Sequence, residues 1–128
     1  LPILVASCVT RYGLTYEAAL ITVRIAGARA FAELLINDLA DEALLKRVGS
    51  MIRRFHQTGL DHVDLNARNI LVDEQGKPWL IDFDRCLLRT SGNWKTKNLY
   101  RLTRSLEKLR AGSAINSIKS GYKDQTPC

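Results

Sequence analysis

Apolar and polar positions repeat most clearly in "DEALLKRVGSMIRRFHQTG", residues 41–59. Leu44, Leu45, Val48, Met51, Ile52 and Phe55 fall on one helical stripe. Asp41 stands where an N-cap belongs and Gly59 where a helix stops. A second stripe, Leu99, Leu102, Leu106 and Leu109, predicts a helix in "KTKNLYRLTRSLEKLRA" whose opposite face is basic. "ILVASCV" (3–9) and "YEAALITVRI" (16–25), on either side of a turn with Gly13, read as a strand hairpin. "NILVD" and "PWLIDFD", joined by "EQGK", read as a second, shorter one. Between hairpin and long helix, "AGARAFAELLIND" predicts a glycine loop and a short helix from about Ala30. After Gly112 the chain is rich in Ser, Lys and Gly and is expected to fray. Strand hairpin, long helix, strand hairpin and basic helix together make an α+β chain.

Composition narrows the classes. The 128 residues suit one domain, and 46% apolar residues suit an ordinary globular core. No run approaches the ~18 apolar residues of a membrane span, and no signal peptide is visible. Cys8, Cys86 and Cys128 are too far apart for a metal-type CxxC motif and read as reduced thiols of a cytosolic protein. Charge is uneven: residues 1–94 balance eleven Lys/Arg against eleven Asp/Glu, so the whole excess of +6 lies beyond them. Such a block attracts phosphate, whether on lipid, nucleic acid or an anionic substrate, although a solvated basic helix face has the same composition.

The candidate chemistry lies in "DHVDLNARNILVDEQGKPWLIDFD", residues 61–84. Phosphoryl transfer consists mostly of positioning and charge neutralisation. It calls for a base near the attacking hydroxyl and hard oxygen ligands for Mg²⁺. Asp64, on a loop after the long helix, suits the first role. Asn69, five residues on, can offer an amide oxygen, and the hairpin folds back to bring Asp82, at the end of its second strand, beside Asn69. Taken singly, these residues could be a cap, a turn residue and a strand-end charge. Their joint context, "HxDxxxxN" after an amphipathic helix and before an "LIDFD" strand end, is what points to phosphotransfer. His62 reads as a hydrogen-bonding brace of the loop and His56 as a surface residue near the helix C-terminus.

"HVDLNARN" resembles the protein-kinase catalytic loop H-R-D-x-x-x-x-N, and "DFD" resembles the DFG site. More closely, "GLDHVDLNARNILVD" with "WLIDFDRC" is similar to the 3-deoxy-D-manno-octulosonic acid (Kdo) kinase family, as are "LITVRIAGARAFAELL" upstream and "NLYRLTRSLEKLR" downstream. The resemblance spans roughly residues 9–110. It implies ATP- and Mg²⁺-dependent phosphorylation of the 4-hydroxyl of Kdo on a lipid A precursor during lipopolysaccharide core assembly. The place implied is the cytoplasmic face of a Gram-negative inner membrane. Carried over residue by residue, Asp64 is the expected base, and Asn69 and Asp82 the metal ligands. Thr22, Val23 and Arg24 would lie along the adenine pocket. Arg68 and Arg85 could meet the sugar carboxylate or a lipid phosphate, or pair with a nearby Asp. The basic seam of Lys95, Lys97, Arg101, Arg104 and Lys108 could rest on anionic lipid. No nucleic-acid partner is expected.

Departures from the kinase pattern shape the expectation. Asp84 replaces the glycine of DFG, no APE segment follows, and 44 residues remain after Asp84, which argues against a tyrosine protein kinase despite "DLNARN". Asn66 stands where serine/threonine kinases carry a lysine. No glycine-rich loop or VAIK-type lysine precedes residue 20. The chain therefore reads as a kinase-like C-terminal lobe (28–112), preceded by the last strands and hinge of an N-terminal lobe (1–27) and followed by a flexible basic tail (113–128). On its own it is expected to bind ATP poorly. The competing readings are another small-molecule phosphotransferase with the same loop, and an inactive remnant that docks on membrane or partner.

Overall fold

A computed structural model describes residues 27–84 and 86–124. The expected hairpin over 3–25, with Thr22, Val23 and Arg24, lies outside the described residues, as does Arg85. Among the described residues the chain is a mixed α+β structure with two small sheets. In order they are β1 (Arg29–Ala30), α1 (Phe31–Ile36), α2 (Glu42–Gln57), β2 (Leu60–Asp61), a 3₁₀ turn (Ala67–Asn69), β3 (Ile70–Val72), β4 (Pro78–Leu80), β5 (Leu87–Leu88), α3 (Trp94–Lys108) and α4 (Ala114–Lys123).

The predicted long helix is α2. Asp41 caps it by accepting from the Leu44 N–H at 2.8 Å, satisfying one of the donors a helix start leaves open. Leu44, Leu45, Val48, Met51 and Ile52 are buried on its inner face, with Phe55 packed at the edge of the same core. The α3 stripe behaves likewise. Leu102 and Leu106 are fully buried, and Leu99 and Leu109 pack partly against the core. Trp94, at the first turn of α3, is buried as well.

The second hairpin forms as expected. β3 pairs antiparallel with β4, with Ile70 opposite Leu80 and Val72 opposite Pro78. Asp73 organises its turn, accepting from the Gln75 and Lys77 N–H groups, each at 2.9 Å, and from the Trp79 indole at 3.0 Å. Trp79 packs partly against the core. β1 pairs with the other edge of β3, so the sheet order is β1–β3–β4, and β2 pairs separately with β5. These two-residue strands carry too little pattern to be read from sequence.

Three expectations need correction. Residues 114–123, assigned to a fraying tail, form α4, which buries Ala114, Ile115, Ile118 and Gly121, with α2 across from it. Its composition looked loop-like in part because Gly121 serves close packing, matched by Gly49 on α2. A Cβ on Gly49 of α2 would meet the Ile118 carbonyl oxygen at 1.9 Å, and one on Gly121 would meet that of Lys46 at 2.0 Å. His56 is not on the surface but buried between α2, α3 and α4. Cys86 is disulfide-bonded, not a reduced thiol.

Candidate functional site

The loop between β2 and β3 holds the candidate residues, and its backbone is bound from several sides. Asn66 caps the 3₁₀ turn, its side-chain oxygen accepting from the N–H groups of Arg68 at 2.8 Å and Asn69 at 3.2 Å. Its amide nitrogen donates back to the Asp64 carbonyl at 3.1 Å. Asn69 donates to the same carbonyl from its own side-chain amide, at 2.9 Å. With its nitrogen so engaged, Asn69 has its side-chain oxygen turned away from that bond as a hard acceptor. Among the described residues the Asp64 carboxylate itself receives only a long contact from Asn66, at 3.4 Å. It is half-buried and little engaged, which suits a group that must accept a proton.

His62 ties the loop to the strand end beyond β4. Its Nδ1 accepts from the Asp64 N–H at 3.3 Å, so Nε2 carries the proton and donates to the Ile81 carbonyl at 2.8 Å. Both ring nitrogens are used structurally, as expected of a brace. Its ring also packs edge-on against Phe83, at 5.8 Å between centroids.

Register brings Asn69 and Asp82 together. With Ile70 opposite Leu80, Asn69 faces Ile81, and the Ile81 N–H donates to the Asn69 carbonyl at 2.9 Å. Asp82 is the next residue. β4 ends at Leu80, so Asp82 lies two residues past the strand rather than at its end. There it takes a left-handed backbone, φ 67°. Asp38 and Arg110 share that sign of φ, but both follow helix ends, where such a residue is ordinary. Asp82 ends no helix. Strain of this kind gathers where a side chain must be aimed. Phe83 is buried against Phe55 and His62, while Asp82 and Asp84 on either side are exposed.

Next to the loop runs a polar chain, buried at Asp61, Asn98 and His56, that sequence reasoning missed. The Arg89 Nε–H donates to Asp61 Oδ2 at 2.7 Å, and the Asn98 amide donates to Oδ1 at 2.7 Å. Asn98 then accepts from His56 Nε2–H at 3.2 Å, and His56 Nδ1 accepts from the Tyr122 hydroxyl at 2.7 Å. Since a carboxylate only accepts, one orientation satisfies every link. Burial lowers the His56 pKa from 6.5 to about 4, against the opposing pull of its Asn98 bond, so the ring is neutral. The chain links α2, β2, α3 and α4 three residues before Asp64. Its members are 37 and 42 residues apart in pairs, and no local pattern announces them. Asn66 was more accessible: an Asn just before a short turn is a cap signal.

Asp64 and Arg68 line one cleft of about 250 Å³. Arg68 is exposed and makes no ion pair among the described residues, so the alternative of an Asp partner is not realised there. The loop, the adjoining hairpin end and the long helix thus bring Asp64, Asn69 and Asp82 into one region, whereas the expected adenine-side residues are not described.

A loop with this Asp–Asn spacing between a long helix and an acid-bearing hairpin end resembles that of kinase-class proteins, and comparison with known sequences gives the particular branch. The sequence model described as lipopolysaccharide kinase (Kdo/WaaP) family matches residues 1–122. The chain belongs to that family. Among curated relatives, the 3-deoxy-D-manno-octulosonic acid kinase of Xylella fastidiosa (strain 9a5c) is 43% identical over 124 residues, covering 96% of this chain and 48% of the relative. Those of Stenotrophomonas maltophilia (strain K279a) and Vibrio cholerae serotype O1 (strain ATCC 39315 / El Tor Inaba N16961) are 43% and 37% identical, covering 92% and 94% of this chain and 47% and 54% of the relatives. The chain spans about half the length of the curated relatives it matches.

Proposed function

We propose that this chain carries the acceptor-side and metal-side residues of a kinase that phosphorylates the 4-hydroxyl of Kdo on a lipid A precursor, with ATP as donor, in lipopolysaccharide core biosynthesis. The observation that carries the reading is the loop geometry. A half-buried, little-engaged Asp64 sits on a backbone fixed by Asn66 and Asn69, with Asp82 one residue beyond the hydrogen bond that joins the hairpin to Asn69. Relatives named as Kdo kinases supply the substrate class.

In this mechanism Asp64 accepts the proton of the attacking hydroxyl. His62 fixes the Asp64 backbone through its N–H, and the two amides hold the Asp64 carbonyl, so the carboxylate is presented at a constant height. Asn69 Oδ1 and the Asp82 carboxylate would hold Mg²⁺. Among the described residues no three carboxylate, imidazole or thiol groups converge. One amide and one carboxylate nonetheless fit this ion, which takes few protein ligands and completes its shell with water and phosphate oxygens. When bound, it neutralises charge on the transferred phosphoryl group. Thr22, Val23 and Arg24 are proposed for the adenine side, and Arg68 and Arg85 for the anionic acceptor.

We assign residues 28–112 to a kinase-like C-terminal lobe, extended by α4, and 1–27 to strands and hinge of the N-terminal lobe. Among the described residues no helix is long and apolar enough to cross a membrane. The exposed basic face of α3, with Lys95 and Lys97 near its start, is proposed to lie against anionic lipid at the cytoplasmic face of the inner membrane. The test is phosphate transfer from ATP to a Kdo-bearing lipid A precursor by the complete polypeptide that carries this chain. Asp64→Asn is expected to lower kcat by at least about 100-fold with an unchanged melting temperature. Transfer to aminoglycoside and not to Kdo would replace the substrate assignment.

A further inference from the structure

The residues that line the cleft beside Asp64 include Arg68, Arg101, Arg104, Ser105 and Lys108 as well as Asp64 itself. Four cations thus face one carboxylate. The basic stripe of α3 is therefore not only a solvated or lipid-facing surface: three of its members border the cleft that holds the candidate base. We propose that this cleft is the anion subsite for the acceptor, in which Arg104 and Lys108, with Arg68, hold the carboxylate of a sugar acid while a hydroxyl of the same sugar faces Asp64. The inference rests on reading Asp64 as the base.

Three observations carry it. First, the cations are held at a fixed place relative to Asp64. Arg101 donates to the Val63 carbonyl, and the Ser105 hydroxyl accepts from the Ala67 N–H at 2.9 Å, so α3 is tied to the loop on both sides of Asp64. Second, their capacity is unfilled. Arg104 gives one N–H to the Tyr100 hydroxyl at 3.2 Å, and Arg68 and Lys108 form no ion pair among the described residues. Like charges gathered at one cleft repel until an anion enters, and a guanidinium matches a carboxylate with two parallel hydrogen bonds. Third, neither Asn69 nor Asp82 lines this cleft, so it is a space distinct from the one between the proposed metal ligands. That placement suits the acceptor rather than the nucleotide. About 250 Å³ lies below the ~300–1,000 Å³ of pockets for drug-sized ligands. It therefore suits one sugar rather than a whole glycolipid. The relatives' name supplies an acid of that size, with carboxylate and hydroxyls on a single sugar.

The test is a titration of the isotope-labelled chain, followed by NMR, with free Kdo, its neutral methyl ester, inorganic phosphate and ATP. Kdo is expected to shift resonances around Arg104, Ser105 and Lys108, and the ester to bind at least about tenfold more weakly. Arg104→Gln with Lys108→Gln is expected to weaken Kdo by a similar factor and leave the ester unchanged. Lys108→Arg alone should keep the affinity within about threefold. Both side chains are exposed, so an unchanged melting temperature confirms that the fold is intact. Equal binding of acid and ester, indifference to the double substitution, or no shift at the cleft of the folded chain would overturn the proposal. So would phosphate or ATP occupying these residues in preference to Kdo. Asp64→Asn separates this from the reading beneath it: Kdo binding should persist or tighten when that negative charge is removed. Transfer that survives Asp64→Asn sinks the base assignment and leaves the Kdo shifts at Arg104 standing.

Discussion

Asn69 donates its side-chain amide to the Asp64 backbone carbonyl at 2.9 Å, and Asn66 donates to the same oxygen at 3.1 Å. The five-residue spacing is thus a closed turn, with the amide nitrogen fixing the Asp64 backbone and the amide oxygen turned away from that bond, where the proposed metal would lie. Asn69→Leu removes both functions while keeping most of the volume. Because Asn66 still serves the carbonyl, the stability cost should be modest, about 1 kcal/mol, against a loss of transfer of 100-fold or more. Denaturant unfolding and kcat of the complete polypeptide check the two numbers. A stability loss large enough to explain the activity loss would make Asn69 merely structural.

Asp82 is strained in a way the sequence did not reveal. Its φ of 67° costs a residue with a Cβ about 1 kcal/mol or more, and no helix end requires it. If aiming the carboxylate is the reason, Asp82→Gly and Asp82→Ala should be equally inactive but unequally stable. Gly is expected to exceed Ala by about 0.5–1 kcal/mol, less than the full strain because Gly also gains unfolded-state entropy. Equal stability of the two variants in thermal melts would mean that the backbone strain is not real.

His56 gives the fold a pH dependence with a definite sign. Its pKa falls from 6.5 to about 4, chiefly through burial, with Lys95 adding to the fall and the Asn98 bond and Asp61 opposing it. The unfolded chain therefore takes up a proton that the folded chain refuses. The neutral ring's contribution is fully present above about pH 6.5 and is lost as pH falls towards 4. At about 1.4 kcal/mol per unit, the loss is about 3 kcal/mol at most. Carboxylates titrate in the lower part of this range, so the informative quantity is the difference between wild type and His56→Gln. That difference should shrink from pH 7 to pH 5. A constant one would show that His56 does not titrate in unfolding.

Much of the candidate site's arrangement was legible because it is local. Asp64 and Asn69 lie on one short loop, and a five-residue turn (73–77) folds the strand end bearing Asp82 back beside Asn69, so spacing alone placed them in one region. The stripes of α2 and α3 were legible for the same reason, each being a period within one element. What was missed depends on distant partners. His56 looked like a surface residue because its Asn98 and Tyr122 partners are 42 and 66 residues away. The strands β1, β2 and β5 are two residues each and exist only because a neighbour pairs with them. The cations of α3 read as one basic face, and only the ties of Ser105 to Ala67 and of Arg101 to Val63 turn part of that face towards Asp64.

The last such case is α4, which looked like a tail because of its glycine and serines. Gly121 is there to let two helices touch. A Cβ at Gly121 would lie 2.0 Å from the Lys46 carbonyl oxygen, and one at Gly49 would lie 1.9 Å from that of Ile118. Both obstacles are backbone, so rotamer changes cannot relieve them and the helices must separate. In a free helix, Gly→Ala gains up to about 1 kcal/mol from propensity. Here the clash should outweigh that gain and leave Gly121→Ala and Gly49→Ala each about 3 kcal/mol less stable. Separation would also pull Tyr122 from His56, so the His56 ring should become easier to protonate, visible as a raised pKa by NMR in whatever fraction remains folded. The outer face of α4 offers the control: Ser120 is exposed, and Ser120→Ala should leave stability within about 0.5 kcal/mol. Stability gained by Gly121→Ala would show that α4 does not pack on α2 and that the tail reading was right.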